Sequence, residues 1–201
     1  MMSSYGEIIV VDGGSKAEEC VDVEQWPSVV MVNSAPGRAI QMNEGARIAR
    51  GDMLWFLHAD TEFAMPCYQY LEAMLASKAE WGRFNIRLSG RPAVFRLISF
   101  FMNFRSGFTG IATGDQGIFI EKELFNQLNG FANIALMEDI EICKRLKRIS
   151  KPALLKQKLI TSSRRWQDNG ILKTILLMWK IRWLYFFGTA PDKLNLLYNK
   201  K

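Results

Sequence analysis

An α/β fold, with a mostly parallel sheet flanked by helices and further helices at the C-terminal end, follows from three features of the sequence. Short apolar runs alternate with stretches of helical periodicity along most of the chain, the order that builds parallel sheets through helical crossovers. The run Met53-Leu-Trp-Phe-Leu57 sets five large apolar residues in succession, the mark of a strand buried on both faces. It stops at His58-Ala-Asp60, so an imidazole and a carboxylate stand just past a strand's carboxyl end, where open α/β sheets bind ligands. One carboxylate with one neutral donor can hold a divalent cation beside a diphosphate. A loop that merely stops the strand and caps the next helix needs the same polar residues.

The elements follow in order. Glu7 to Val11 predicts a short strand broken by Asp12-Gly-Gly-Ser15, whose glycines suit a plain turn or the close approach of a nucleotide equally well. A polar helix from about Lys16 to Val23 and a strand at Val29 to Val32 come next. Gly37 introduces a helix with Ala39, Met42, Ala46 and Ala49 on one face, ended by Gly51 as a left-handed cap. After the Met53–Leu57 strand, Pro66 starts a helix carrying Leu71, Met74 and Leu75. Trp81 to Leu88 alternates apolar and polar residues as a half-exposed strand does. Pro92 to Phe104 is apolar and helical, with Arg96 and Arg105 at its edges. Gly114-Asp-Gln-Gly117 leads into a strand at Ile118 to Ile120, then helices near Glu123 to Asn129 and Asp139 to Ile149, and a late strand at Leu154 to Ile160.

The C-terminal stretch Ile171 to Phe187 is apolar on every side and holds five aromatic residues, interrupted by Lys173, Lys180 and Arg182. It is too short and too charged for a membrane span. An all-round apolar helix predicts packing over the domain's own sheet; aromatics mixed with basic residues equally suit a helix lying at a lipid surface. No linker divides the 201 residues. The chain reads as one domain over 1–201, an α/β core to about residue 165 and a helical segment over 166–201.

Hydrophobic residues make up 49% of the chain and charged residues 23%, an ordinary globular balance. The net charge of +6 favours an anionic partner. Three scattered cysteines, Cys20, Cys67 and Cys143, argue against a disulfide framework and for a reducing cytoplasm. The single histidine, His58, excludes a multi-histidine metal site. Met1 to Gly6 is too short and polar for a secretory signal.

Met137-Glu-Asp-Ile-Glu141 opens a helix whose last turn holds Lys144, Arg145, Lys147 and Arg148. Acids at the start and bases at the end suit the helix dipole, while a carboxylate at a helix start facing a cleft can also take a proton from a hydroxyl. Arg164-Arg-Trp166 offers two guanidiniums to brace a diphosphate and an indole to stack on a sugar; a solvated basic turn with one buried tryptophan reads the same way. No dinucleotide fingerprint and no Gly-Lys-Ser/Thr phosphate loop is present, which removes support for hydride transfer and for that style of ATP hydrolysis.

Taken together, Ile8-Ile-Val-Val-Asp-Gly-Gly-Ser15, Gly37 to Ala46, Ala49-Arg-Gly-Asp-Met53, Phe56-Leu-His-Ala-Asp60, Thr109 to Gln116, Met137 to Glu141 and Arg164-Arg-Trp166 resemble a family 2 glycosyltransferase of the GT-A, Rossmann-like fold, and within it a small bacterial subfamily. The resemblance covers nearly the whole chain. It implies that Asp12 contacts the nucleobase, that Arg38 helps hold the nucleotide, and that Asp60 binds a divalent metal (manganese or magnesium) bridging the donor diphosphate. His58 stands where the family has a first aspartate and would join Asp60 as a ligand. Glu138 and Asp139 match the family's acidic pair, with Asp139 as the base. Arg164, Arg165 and Trp166 resemble the motif near diphosphate and acceptor, and Asp115 and Gln116 line the acceptor side.

The implied activity is inverting, metal-dependent transfer of a sugar from a nucleotide-diphosphate donor to an acceptor hydroxyl. The implied setting is the cytoplasm, with peripheral contact at the inner face of the membrane and no nucleic acid partner. Family members begin with an apolar strand running into a Pro…Asn-Glu turn, whereas this sequence starts at what resembles the second strand. In the fold implied by the resemblance, the missing first strand lies inside the sheet, so its neighbours are expected to carry unpaired backbone groups. Two other readings stay open here: an inactive, N-terminally truncated nucleotide or membrane-surface binder, and a nucleotidyltransferase, for which Gly13-Gly-Ser-Lys16 is a thin version of the basic glycine loop.

Overall fold

The computed structural model describes residues 6–15, 26, 28–90 and 92–200. The helix expected over Lys16 to Val23 lies outside them, as does Cys20. Two sheets form. Strand β1 (Ile8–Asp12) pairs in parallel with β2 (Val29–Asn33). The larger sheet has the order β3-β6-β5-β7-β4, where β3 is Met53–Trp55, β4 Glu62–Phe63, β5 Trp81–Leu88, β6 Phe119–Glu121 and β7 Ala153–Thr161. Strands β3 and β5 both run against β6, and β5 and β7 are parallel. Three strands therefore share the parallel direction, while β6 and β4 are reversed.

Helix α1 (Arg38–Ile48) lies on β1 because Gly45 lets the backbones close: a Cβ there would stand 3.1 Å from Val11 Cγ2. The small residues Ala39 and Ala46 of α1, with Ile9, Met42, Leu54 and Ile118, form one apolar cluster that joins the two sheets. The helix does not end on a left-handed Gly51. It stops at Ala49, which is extended, and Glu7 accepts the following N–H groups of Arg50 and Gly51. A side-chain carboxylate thus replaces the glycine cap.

Strand β5 is buried along most of its length and is not half exposed. It sits between β6 and β7 and is covered by α3 (Ala93–Thr109). Of the polar positions that suggested a wet face, Arg83 is buried and Arg87 exposed. Asn103 of α3 accepts the Ile86 N–H and donates to the Ile86 carbonyl, each at 2.9 Å, and Ser99 accepts the Leu88 N–H. Strand β6 pairs with β5 only at Trp81 and Gly82, so beyond it side chains from α3 satisfy backbone groups of β5, while the ladder to β7 continues past a register shift at Phe84/Asn85. A cluster of Tyr70, Phe84 and Phe119 packs α2 (Cys67–Ser77) on the larger sheet.

Among the described residues β1 pairs with β2 alone and β3 with β6 alone. The two sheets therefore meet across a cleft and not through a shared ladder. The remaining elements are α4 (Lys122–Gln127), α5 (Glu138–Leu146), α6 (Arg164–Asn169), α7 (Ile171–Phe186) and α8 (Pro191–Asn199). Helix α7 is not a core helix: only Thr174 and Ile181 are buried, and Trp179, Trp183 and Phe186 point outward.

Candidate functional site

The cleft between the sheets has a volume of about 1890 Å³ and collects strand ends and helix starts. His58 and Asp60 follow β3, and Gly114 and Asp115 precede β6. Glu138 and Asp139 open α5, Arg38 opens α1, and Arg164, Arg165 and Trp166 open α6. The two carboxylates on which the sequence reading depended, Asp60 and Asp139, line this one cleft.

Asp139 is fixed by the backbone around it. Its Oδ2 accepts the Gly114 N–H at 3.0 Å and its Oδ1 accepts the Ile140 N–H at 2.7 Å. Met137, just before it, has φ 74°, a left-handed conformation rare for a side chain of that size. Such strain persists where the surroundings over-determine it, and here it turns the start of α5 into the cleft. Glu138 is buried, with one oxygen 3.8 Å from Arg38 Nη1. Burial, and the charge of Asp139 next to it, push the Glu138 carboxyl above the usual range.

His58, expected beside Asp60 as a metal ligand, is paired with Asp115 in this structure. Its Nδ1 lies 3.2 Å from Asp115 Oδ1, and its Nε2 abuts Gly114 so closely that a Cβ there would stand 2.6 Å away. Burial alone would lower the imidazole pKa, but the hydrogen bond to Asp115 and its charge outweigh that and raise it. Burial would likewise raise the Asp115 carboxyl, yet the bond to His58, the charges of His58 and Arg38 and a bond from Thr161 bring it below the usual range. Among the described residues no three His, Cys, Asp or Glu side chains converge as a metal cage. Asp60 remains as a single carboxylate, which fits a cation that takes its other ligands from water and substrate phosphates.

One expected residue is placed differently. Gln116 is fully buried, with its carbonyl accepting the Thr113 N–H and its amide donating to Ser106 Oγ at 2.8 Å; it braces the turn and does not line the cleft. Asp12 ends β1 and accepts the Ser15 hydroxyl at 2.6 Å and the Ser15 N–H at 3.0 Å. It closes a turn beside the cleft, and these Ser15 bonds lower its carboxyl pKa.

Sequence reasoning missed three contributors. Arg105 of α3, Arg182 of α7 and Tyr198 of α8 all line the cleft. Burial and the nearby Arg182 charge push Arg105 down to about 10, so it stays charged at neutral pH. Tyr198 offers its ring to the Arg165 guanidinium, 3.5 Å from the centroid, and its carbonyl accepts from Arg165 at 2.6 Å. Arg164 beside it is left exposed, while Trp166 packs against the Leu88, Phe95 and Ile98 cluster. Nothing local marks Arg105, Arg182 or Tyr198, since each reaches the cleft by tertiary packing.

The model of the family described as "Glycosyl transferase family 2" matches residues 5–120. No curated protein matches the chain. Among solved structures, S. aureus TarS 1-349 superposes with TM-score 0.60 at 14% identity, over 80% of this chain and 52% of that one. The mannosyltransferase PcManGT from Pyrobaculum calidifontis, solved with GDP-Man and Mn2+, superposes with TM-score 0.58 at 16% identity, over 96% of this chain and 61% of that one. This chain thus spans about half to three-fifths of the length of those relatives. At these identities the structures establish the shared GT-A fold, and the sequence model, covering more than half the residues, establishes the lineage. The chain belongs to glycosyl transferase family 2.

Proposed function

We propose that this protein moves a sugar from a nucleoside-diphosphate donor to an acceptor hydroxyl in a single inverting displacement. The observation that carries the reading is the meeting of Asp139, held by two backbone N–H groups, with a set of arginines in one cleft. The acceptor oxygen attacks the anomeric carbon as Asp139 takes its proton. The bond to the diphosphate breaks on the opposite face, and its electron pair leaves with the phosphate oxygen. Arg38 and Arg164 offset the charge that grows on the departing diphosphate. A divalent cation held by Asp60 supplies further positive charge there when bound. Asp12 and Arg38 stand at the nucleotide end, and Asp115 keeps the acceptor side polar.

Asp139→Asn is expected to abolish turnover, by about 10²-fold or more, while calorimetry with a nucleoside diphosphate and manganese still detects binding. Equal loss of both in a folded variant overturns the role of Asp139. Asp60→Ala should weaken only the manganese-dependent part of that binding. The open cleft between β1 and β3 favours one second reading, a nucleotide binder without turnover. Nucleotide binding with no sugar transfer to any hydroxyl acceptor would select it.

A further inference from the structure

We propose that the acceptor is an anionic lipid alcohol drawn from a membrane surface, its tail lying along the aromatic faces of α3 and α7 and its charged head on Arg105 and Arg182 beside Asp139. The proposal rests on the transferase reading above and names the substrate class of the same site.

Three observations carry it. First, α3 and α7 pack on each other, with Phe95, Ile98 and Met102 against Ile171 and Ile175, yet they leave large residues facing outward. Phe104 is 62% exposed, Phe108 84%, Trp179 64% and Phe186 76%. Monomeric proteins rarely expose so continuous an apolar area without a partner for it. Secondly, this face is cationic. Neither helix contains an Asp or Glu, while together they carry Arg96, Arg105, Lys173, Lys180 and Arg182.

Aromatic side chains with interspersed Lys and Arg suit the boundary of an anionic bilayer. No helix among the described residues is long and apolar enough to cross one, so the fit is to the surface. Pairing with a second copy is disfavoured by the same charges, since a two-fold contact would set like cations against each other.

Thirdly, the apolar face runs into the reactive cleft. Leu97, Phe101, Phe104 and Trp179 are exposed and also line the cavity that holds Asp139. Where that lining ends, Arg105 and Arg182 begin. Arg105 Nη1 donates to the Ile111 carbonyl at 3.2 Å, but its Nε and Nη2 are buried without a hydrogen-bond partner, and buried guanidinium N–H groups left unmatched call for an anionic acceptor. A molecule with an apolar tail, an anionic group and a hydroxyl close to that group meets all three demands at once. Its hydroxyl would reach Asp139 while its charge rests on the arginines.

The test uses lyso-phosphatidylglycerol below its micelle concentration as the probe, because it joins one acyl tail, a phosphodiester and free hydroxyls. Calorimetry on the full chain should show saturable binding at one site. Phe101→Ser with Phe104→Ser, both at exposed positions, and separately Arg182→Gln, should each weaken binding by about tenfold or more. Lys151→Gln, which removes the same charge from an exposed turn, should leave it within about twofold.

Flotation with vesicles of phosphatidylcholine and phosphatidylglycerol should carry the chain upward, and vesicles of phosphatidylcholine alone should carry much less. Absence of probe binding, equal loss in Arg182→Gln and Lys151→Gln, or flotation untouched by the double phenylalanine variant overturns the proposal. Should Arg182→Gln fail to fold by circular dichroism, the phenylalanine variant and the two vesicle types decide. Nucleoside-diphosphate binding measured on the same samples separates the cases. Its loss rejects the transferase reading, whereas its retention without lipid binding rejects only the lipid acceptor.

Discussion

His58 is the only imidazole in the chain, so its ring protons report one environment without assignment. Although burial opposes its charged form, the bond and charge of Asp115 hold its pKa above the ordinary value of 6.5. A group whose pKa is higher folded than unfolded stabilises the fold fully below the unfolded value and loses that contribution as pH rises through the folded value. Unfolding free energy is therefore expected to decline with pH above about 6.5, and proton NMR should show His58 titrating above that pH. Asp115→Asn should shift the titration downward and flatten that decline; an unmoved midpoint would refute the pairing.

Gly114→Ala tests the same contact from the other side, since the new methyl would meet His58 Nε2. The ring must then leave Asp115 or the turn must shift, and both the His58 titration and the Gly114 N–H bond to Asp139 should change together. At this scale the sequence exposed what short motifs encode. Asp60, Glu138 and Asp139 follow recognisable punctuation at a strand end and a helix start. The pairing of His58 was hidden, because its partner Asp115 lies 57 positions away in the numbering.

At the scale of elements, the sharpest test is Gly82 in β5. A Cβ there would stand 2.5 Å from the Ala153 carbonyl oxygen and 2.5 Å from Phe119 Cζ, so the neighbouring strand itself must give way. Gly82→Ala is expected to cost about 1–3 kcal/mol in chemical denaturation; a neutral result would show that β7 can move aside. The alternation across Trp81 to Leu88 located this strand correctly but misjudged its exposure. Period tells which residues share a face and not what covers that face, and Asn103 and Ser99 of α3 supply the cover here.

The converse error occurred in α7, where continuous apolar character suggested burial. Its outward face is exposed, since hydrophobicity records a preference and the available partners decide how it is met. Strand and helix order were legible because turns and caps are local. The end of α1 was not, because Glu7, far back in the chain, terminates it.

For the molecule as a whole, the division into two sheets predicts uneven stability. Strands β1 and β2 pair only with each other among the described residues, and every residue of β1 is part-exposed. Strand β5 is hydrogen-bonded on both sides and buried. Native-state hydrogen exchange should find amides of β1 and β2 opening at least about 10²-fold faster than those of β5; equal protection would mean the sheets unfold as one unit. The α/β class was plain from the sequence because it depends on alternation alone. The grouping of strands was not, since it rests on contacts between segments far apart.

Among the described residues, one margin of β1 and one of β3 stay unshared. Bare strand margins normally act as templates on which other molecules stack. Here they face inward, flanked by Met42 and Ala46 of α1 and by Leu71 and Met74 of α2. A neighbouring molecule would have to thread an extended stretch of its own chain past both helices to reach them. The arrangement therefore recesses the most adhesive part of the backbone within the cleft.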